Sequence, residues 1–85
     1  DRDRLLAGIL QACHKRPVTR EEIDALADRV EARIFAPARE EIPSQEIGEV
    51  VMEELERLDH VAYVRFASVY RSFRNVSQFM DELRG

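Results

Sequence analysis

The chain has 85 residues with a net charge of −4, and 35% of them are charged. That length allows one domain, and a domain so small buries only ~60% of the surface its unfolded chain exposes. The acidic balance excludes a face that grips nucleic acid through bulk charge, because phosphate neutralisation needs a basic surface, yet it leaves room for a local arginine cluster around a small polyphosphate.

A first helix is predicted from Asp3 to Lys15, where Leu5, Leu6, Ile9, Leu10 and Cys13 recur at helical spacing. Asp1 and Asp3 suit the positive end of its dipole. Arg16-Pro17 stops it, since a residue before proline is pushed out of helical geometry. Thr19 and Glu22 then form a capping box, with Val18 and Ile23 at the positions of a hydrophobic staple. The second helix buries Ile23, Leu26, Ala27, Val30 and Ile34, and Asp24, Asp28, Arg29 and Arg33 read as solvated charges. Ala36-Pro37-Ala38 breaks it, followed by Glu40-Glu41.

The third helix is expected to open at Pro43-Ser44, with Ser44 as N-cap and Glu46 in the first turn. Ile47, Val50, Val51, Leu55 and Leu58 point inward, and Glu53-Glu54 reads as a solvent-facing pair. Gly48 stands where glycine costs ~1 kcal/mol relative to alanine. Two reasons for it remain open: close packing of another helix, or close approach of a ligand to the helix start. A fourth helix follows the Asp59 cap, with Leu58 and Tyr63 as a second staple, and ends at Arg71 or Phe73. A last one starts near Asn75 and carries Val76, Phe79, Met80 and Leu83. The fold class is therefore all-α, a small bundle of about five helices in one domain over residues 1–85.

The chemistry points to binding and not to catalysis. His14 and His60 lack metal-ligand spacing, Ser68 and Ser72 lack a nearby general base, and no phosphate-binding glycine loop is present. Cys13, the only cysteine, cannot form an internal disulfide or a zinc site alone, reads as a half-buried thiol, and fits a reducing cytoplasm. No apolar run approaches the ~18 residues of a helical membrane span. The run from Val61 to Phe73 is the most informative segment. As a helix it sets Ala62, Phe66, Val69 and Phe73 on one face, and Tyr63, Ala67 and Tyr70 on an adjoining face flanked by Arg65 and Arg71. Aromatic rings beside guanidinium groups suit a base and its phosphates.

That run, Val64-Arg65-Phe66-Ala67-Ser68-Val69-Tyr70-Arg71, resembles the ATP-cone of the bacterial transcriptional repressors of ribonucleotide reductase genes. The likeness also takes in residues 41–55, Leu58-Asp59, Lys15-Arg16-Pro17-Val18 and Asp3-Arg4-Leu5-Leu6, and so nearly the whole chain. It implies a nucleotide sensor, not an enzyme, with ATP or dATP as ligand and magnesium compatible with it. It also implies a homo-oligomer whose state depends on the nucleotide. DNA would be bound through a zinc ribbon, which holds the only zinc. That ribbon and a β-hairpin lid would precede Asp1. The alternative is the allosteric cone of a ribonucleotide reductase; the wording of residues 64–71 favours the repressor.

Carried over by position, the likeness places a phosphate contact on Arg4, where the family has lysine. It places the nucleoside pocket on Ser44, Ile47, Gly48 and Val51, the adenine-facing phenol on Tyr70, and a second positive position on Arg71 or Arg74. Without a lid, Leu5, Ile47, Val51 and Tyr70 are expected to leave apolar surface open and to promote self-association.

Overall fold

The computed structural model describes residues 2–35 and 42–84, apart from the side chains of Ser44, Phe73, Ser77 and Phe79. The expected break at Ala36-Pro37-Ala38 and Glu40-Glu41 lies outside the described residues, as do the hydroxyl of Ser44 and the rings of Phe73 and Phe79. Four helices follow one another: α1 (Arg2–Ala12), α2 (Arg20–Phe35), α3 (Ser44–Leu58) and α4 (His60–Arg84). Each packs on its sequence neighbour, and the bundle closes where α1 meets α4. Ile9, Leu26, Val30, Val51 and Leu55 are the largest fully buried side chains, one or two from each of the first three helices. Burying each stabilises the fold by about 1.5–3 kcal/mol. Ala62 completes the core from α4.

Side chains fix several of the helix ends. The Thr19 Oγ1 accepts from the Glu22 N–H at 3.0 Å, and Glu22 Oε1 accepts from the Thr19 N–H at 3.0 Å, so the capping box forms as expected. Asp59 does three things at once. Its N–H closes α3 onto the Leu55 carbonyl at 2.9 Å. Its Oδ2 accepts from the Ala62 N–H at 2.9 Å and so opens α4. Its two carboxylate oxygens take a bidentate pair from Arg16, at 2.9 and 3.1 Å, which ties the α3–α4 corner to the α1–α2 turn.

Several expectations need correction. The last two predicted helices are one 25-residue helix, α4, so the described residues form four helices where about five were expected. Neither glycine nor proline interrupts residues 60–84, and Ser72 and Asn75 permit a helix start without forcing a stop. At ~1.5 Å per residue α4 is ~37 Å long and outruns the 15-residue α3, so every described side chain from Arg71 onward is exposed. Val69 is also exposed, about half a turn around α4 from buried Ala67, and the buried edge of α4 is Ala62 and Ala67 with half-buried Tyr63, Phe66 and Tyr70. On α1, Leu10 faces outward while Ile9 and Cys13 are buried.

α1 also ends earlier than Lys15. Lys15 takes a φ of 60°, the left-handed region that ends helices. The Arg65 guanidinium donates to the freed carbonyls of Ala12 and His14, at 3.2 and 2.7 Å. α3 begins at Ser44 with Pro43 in the cap position, so Ser44 is the first helical residue and not the N-cap. The Pro43 carbonyl accepts from the Glu46 and Ile47 N–H groups at 3.0 and 3.3 Å.

Glu54 is not solvent-facing. It is 4% exposed, and Arg29 and Arg33 of α2 reach its two oxygens at 2.8 and 3.1 Å. Those arginines hold its carboxyl below the usual carboxylate range: the Arg29 hydrogen bond acts most strongly, against the opposing effect of burial. Arg29 and Arg33 are therefore cross-helix partners and not merely solvated charges. Asp24 and Asp28 are also paired, with Arg20 and Arg2.

Candidate functional site

A cleft of about 410 Å³ opens beside the closure of the bundle, a volume within the ~300–1,000 Å³ range of small-ligand sites. α1 contributes Arg2, Arg4, Leu5 and Gly8, the end of α2 gives Glu31, Ile34 and Phe35, α3 gives Ile47 and Val51, and α4 gives Phe66. Helical spacing explains the α1 wall. Arg4, Leu5 and Gly8 fall within one turn of each other, so they share a face, and the missing side chain of Gly8 keeps that wall low opposite Phe66. The wall is mostly apolar, with charge confined to one end.

The charges at that end differ in commitment. Arg2 is held by Asp28 at 2.9 Å and Glu31 at 3.0 Å, and these carboxylates push its guanidinium pKa up. Arg4 is exposed and has no ion pair or hydrogen bond among the described residues. An arginine with all five donors unspent at the mouth of an apolar cleft fits a ligand that is apolar at one end and anionic at the other.

Beside the cleft, Tyr70 of α4 covers the first turn of α3. Its hydroxyl donates to the Gln45 carbonyl at 3.1 Å. Its ring lies so close over Gly48 that a Cβ there would meet Tyr70 Cδ2 at 2.6 Å and Cζ at 3.1 Å. Of the two reasons for a glycine at this place, the structure shows close packing by an aromatic side chain.

The eight residues predicted from sequence thus separate into three groups. Arg4, Ile47 and Val51 line the cleft. Gly48 and Tyr70 pack on each other at the adjoining helix start. Arg71 and Arg74 are exposed on α4 and absent from the cleft wall, while the Ser44 side chain lies outside the described residues. Arg65, which was expected to flank a binding face, is instead spent on the α1 carbonyls. Sequence reasoning missed Gly8, Ile34, Phe35 and Phe66 as wall residues. The one available signal was the shared face of Arg4, Leu5 and Gly8. Among the described residues no group of three histidine, cysteine, aspartate or glutamate side chains is placed to hold a metal, and no helix is long and apolar enough to cross a membrane.

The described residues thus form a four-helix unit with an apolar cleft of small-ligand size and an uncommitted arginine at its mouth. The chain belongs to the ATP-cone family: the family model described as the ATP cone domain matches residues 1–76. It is also similar to proteins named "Transcriptional repressor NrdR". It is 58% identical over 84 residues to that of Geobacter sulfurreducens, covering 99% of this chain and 56% of the relative. The corresponding figures are 55%, 99% and 56% for Acetivibrio thermocellus, and 54%, 99% and 55% for Lachnoclostridium phytofermentans. The chain thus spans about half the length of the curated relatives it matches.

Proposed function

We propose that this chain is the adenine-nucleotide-sensing part of a transcriptional repressor of ribonucleotide reductase genes. The observation that carries the reading is the meeting of Arg4 with Ile47 and Val51 in one cleft, in a chain matched over 99% of its length by relatives named as repressors. The residues fit ATP or dATP: the apolar walls suit a nucleoside, and Arg4 meets its phosphates. Magnesium would ride with the phosphates, since the cleft wall offers one carboxylate, Glu31, already engaged by Arg2. The base contact on Tyr70 is what the resemblance supports; the ring stands beside the cleft, packed on Gly48, with its hydroxyl donating to the Gln45 carbonyl. The second phosphate contact, Arg71 or Arg74, is supported by the resemblance alone, since neither lines the cleft.

As a sensor the domain acts through different affinity of the ligand for different states of the protein. Those states are oligomers of the repressor, and DNA binding belongs to a segment outside this chain. Discrimination between ATP and dATP rests on the ribose 2′-hydroxyl: a site that pairs it loses affinity when it is missing, and a tight apolar site loses affinity when it is present. No catalytic role is assigned to any residue.

Calorimetric titration of dATP and ATP tests the reading. Arg4→Ala and Tyr70→Ala are each expected to weaken binding at least tenfold, about 1.4 kcal/mol, while the helical content stays unchanged. Unchanged affinity in both variants would remove the cleft from nucleotide binding.

A further inference from the structure

A nucleoside triphosphate brings several negative charges to the mouth of the cleft, and Arg4 is a single cation. Neither Arg71 nor Arg74 lines the wall. The wall does hold a second guanidinium, that of Arg2, and, among the described residues, one carboxylate, that of Glu31. Arg2 is committed through one nitrogen: its Nη1 donates to Asp28 Oδ1 at 2.9 Å and to Glu31 Oε1 at 3.0 Å. Asp28 and Glu31 are three residues apart on α2, so both sit on the side that meets the start of α1. They differ in place, because Glu31 belongs to the cleft wall and Asp28 does not. The side chains of Arg2, Asp28 and Glu31 are 38%, 69% and 31% exposed, and ion pairs so open to water hold weakly.

We propose that Arg2 is a second phosphate-binding residue of this cleft, and that Glu31 is the anion it leaves when a polyphosphate enters. This role rests on the nucleotide reading of the cleft. The exchange is favourable because the partner improves. A phosphate offers several acceptor oxygens to the guanidinium fork, a charge-assisted pairing stronger than two bonds shared by one nitrogen. Asp28, outside the wall, keeps the guanidinium beside the mouth while the Glu31 bond is given up. In the empty cleft Arg2 neutralises Glu31, so the wall does not repel an incoming anion. With ligand bound, Glu31 faces the phosphates uncompensated and opposes them. The two residues therefore act on affinity with opposite sign: Arg2 raises it and Glu31 lowers it. Both effects grow with the charge of the ligand, since both are coulombic. Arg4 alone meets a monophosphate, whereas a longer phosphate chain draws Arg2 off its carboxylate, and the site is thereby selective for the polyphosphate.

Calorimetric titration of dATP and dAMP at fixed magnesium tests it, with helicity followed by circular dichroism. Arg2→Ala is expected to weaken dATP binding about tenfold and dAMP binding less than about twofold, and Arg2→Lys to recover part of the loss. Glu31→Gln should tighten dATP binding several-fold. A merely structural tie between α1 and α2 behaves differently, because cutting it from either end loosens the same helix pair and weakens binding both times. The double variant, Arg2→Ala with Glu31→Gln, should stay weaker than Glu31→Gln alone, since it lacks a phosphate contact and not only a neutralising charge. The proposal is overturned by an Arg2→Ala protein that binds dATP like the parent, by an equal loss for dAMP, by weaker binding in Glu31→Gln, or by a double variant as tight as Glu31→Gln. A parent protein that binds no dATP overturns the nucleotide reading itself, and this role of Arg2 falls with it. Binding that survives Arg2→Ala unchanged overturns the role of Arg2 and leaves that reading standing.

Discussion

Gly48→Ala sets two local effects against each other, and the structure says which wins. Helix propensity alone favours alanine inside α3 by about 0.5–1 kcal/mol. Against this, the added methyl would stand 2.6 Å from Tyr70 Cδ2, far inside van der Waals contact, with the neighbouring Cε2 closer still. The ring must move. Moving it strains a packed helix pair, at about 1–3 kcal/mol for one inserted carbon, and loses the hydroxyl bond to Gln45, about 1 kcal/mol. The net expectation is destabilisation by about 1–3.5 kcal/mol, read as a fall in Tm of roughly 4–8 °C per kcal/mol for a domain of this size. Urea and thermal unfolding of Gly48→Ala, Tyr70→Ala and the double variant form a thermodynamic cycle. With the ring removed, the alanine should stabilise by up to about 1 kcal/mol. A Gly48→Ala variant more stable than the parent chain would refute the close contact between α3 and Tyr70.

Three further outcomes follow from the ion pairs, the α1 terminus and the thiol. Glu54→Gln should cost about 1–2 kcal/mol in urea unfolding, less than a fully buried pair because Arg29 and Arg33 are half-exposed and remain screened by water. The Glu54 and Asp59 carboxyls are held below their ordinary range in the folded chain, chiefly by Arg29 and by Arg16. Their stabilisation is therefore complete above the unfolded value of ~4 and is lost as pH falls through the lower folded values. An acid titration of stability should be shallower in Glu54→Gln, and an identical slope would dismiss the pair. Lys15→Gly should stabilise by about 0.5–1 kcal/mol in thermal unfolding, since relief of the left-handed backbone slightly exceeds glycine's entropy cost. Cys13 should react with an aromatic disulfide reagent only through unfolding. Burial first, and the Asp59 carboxylate second, push its thiol pKa up and keep it protonated; fast reaction at neutral pH without denaturant would contradict its placement.

What the sequence disclosed depended on where the information lies. Helix ends written in side-chain chemistry were legible: Thr19 with Glu22, and Asp59 with Ala62, formed as their spacing predicts. Ends written in backbone conformation were not. Nothing in Lys15 announces a positive φ, and nothing in Asn75 says that α4 runs through it. Glu53 and Glu54 are the same residue type in adjacent places, yet one is exposed and the other buried between two arginines. Helical spacing does set Glu54, three residues after Val51 and four before Leu58, on the inward side of α3; what no local pattern encodes is that Arg29 and Arg33 of α2 meet it there. The same limit applies to the cleft. Resemblance placed Arg4, Ile47 and Val51 in one site, and the fold brings them together. The contributions of Ile34 and Phe35 depend on where the end of α2 falls against α1.

The nucleotide reading rests most directly on where a ligand touches the chain. Titration of dATP into the isotopically labelled chain, followed by amide chemical shifts, measures that residue by residue. The account predicts saturable shifts centred on Arg4, Ile47, Gly48, Val51 and Tyr70, greatly reduced in Arg4→Ala. Shifts confined to α2 or to the exposed end of α4, or none at saturating dATP, would contradict it.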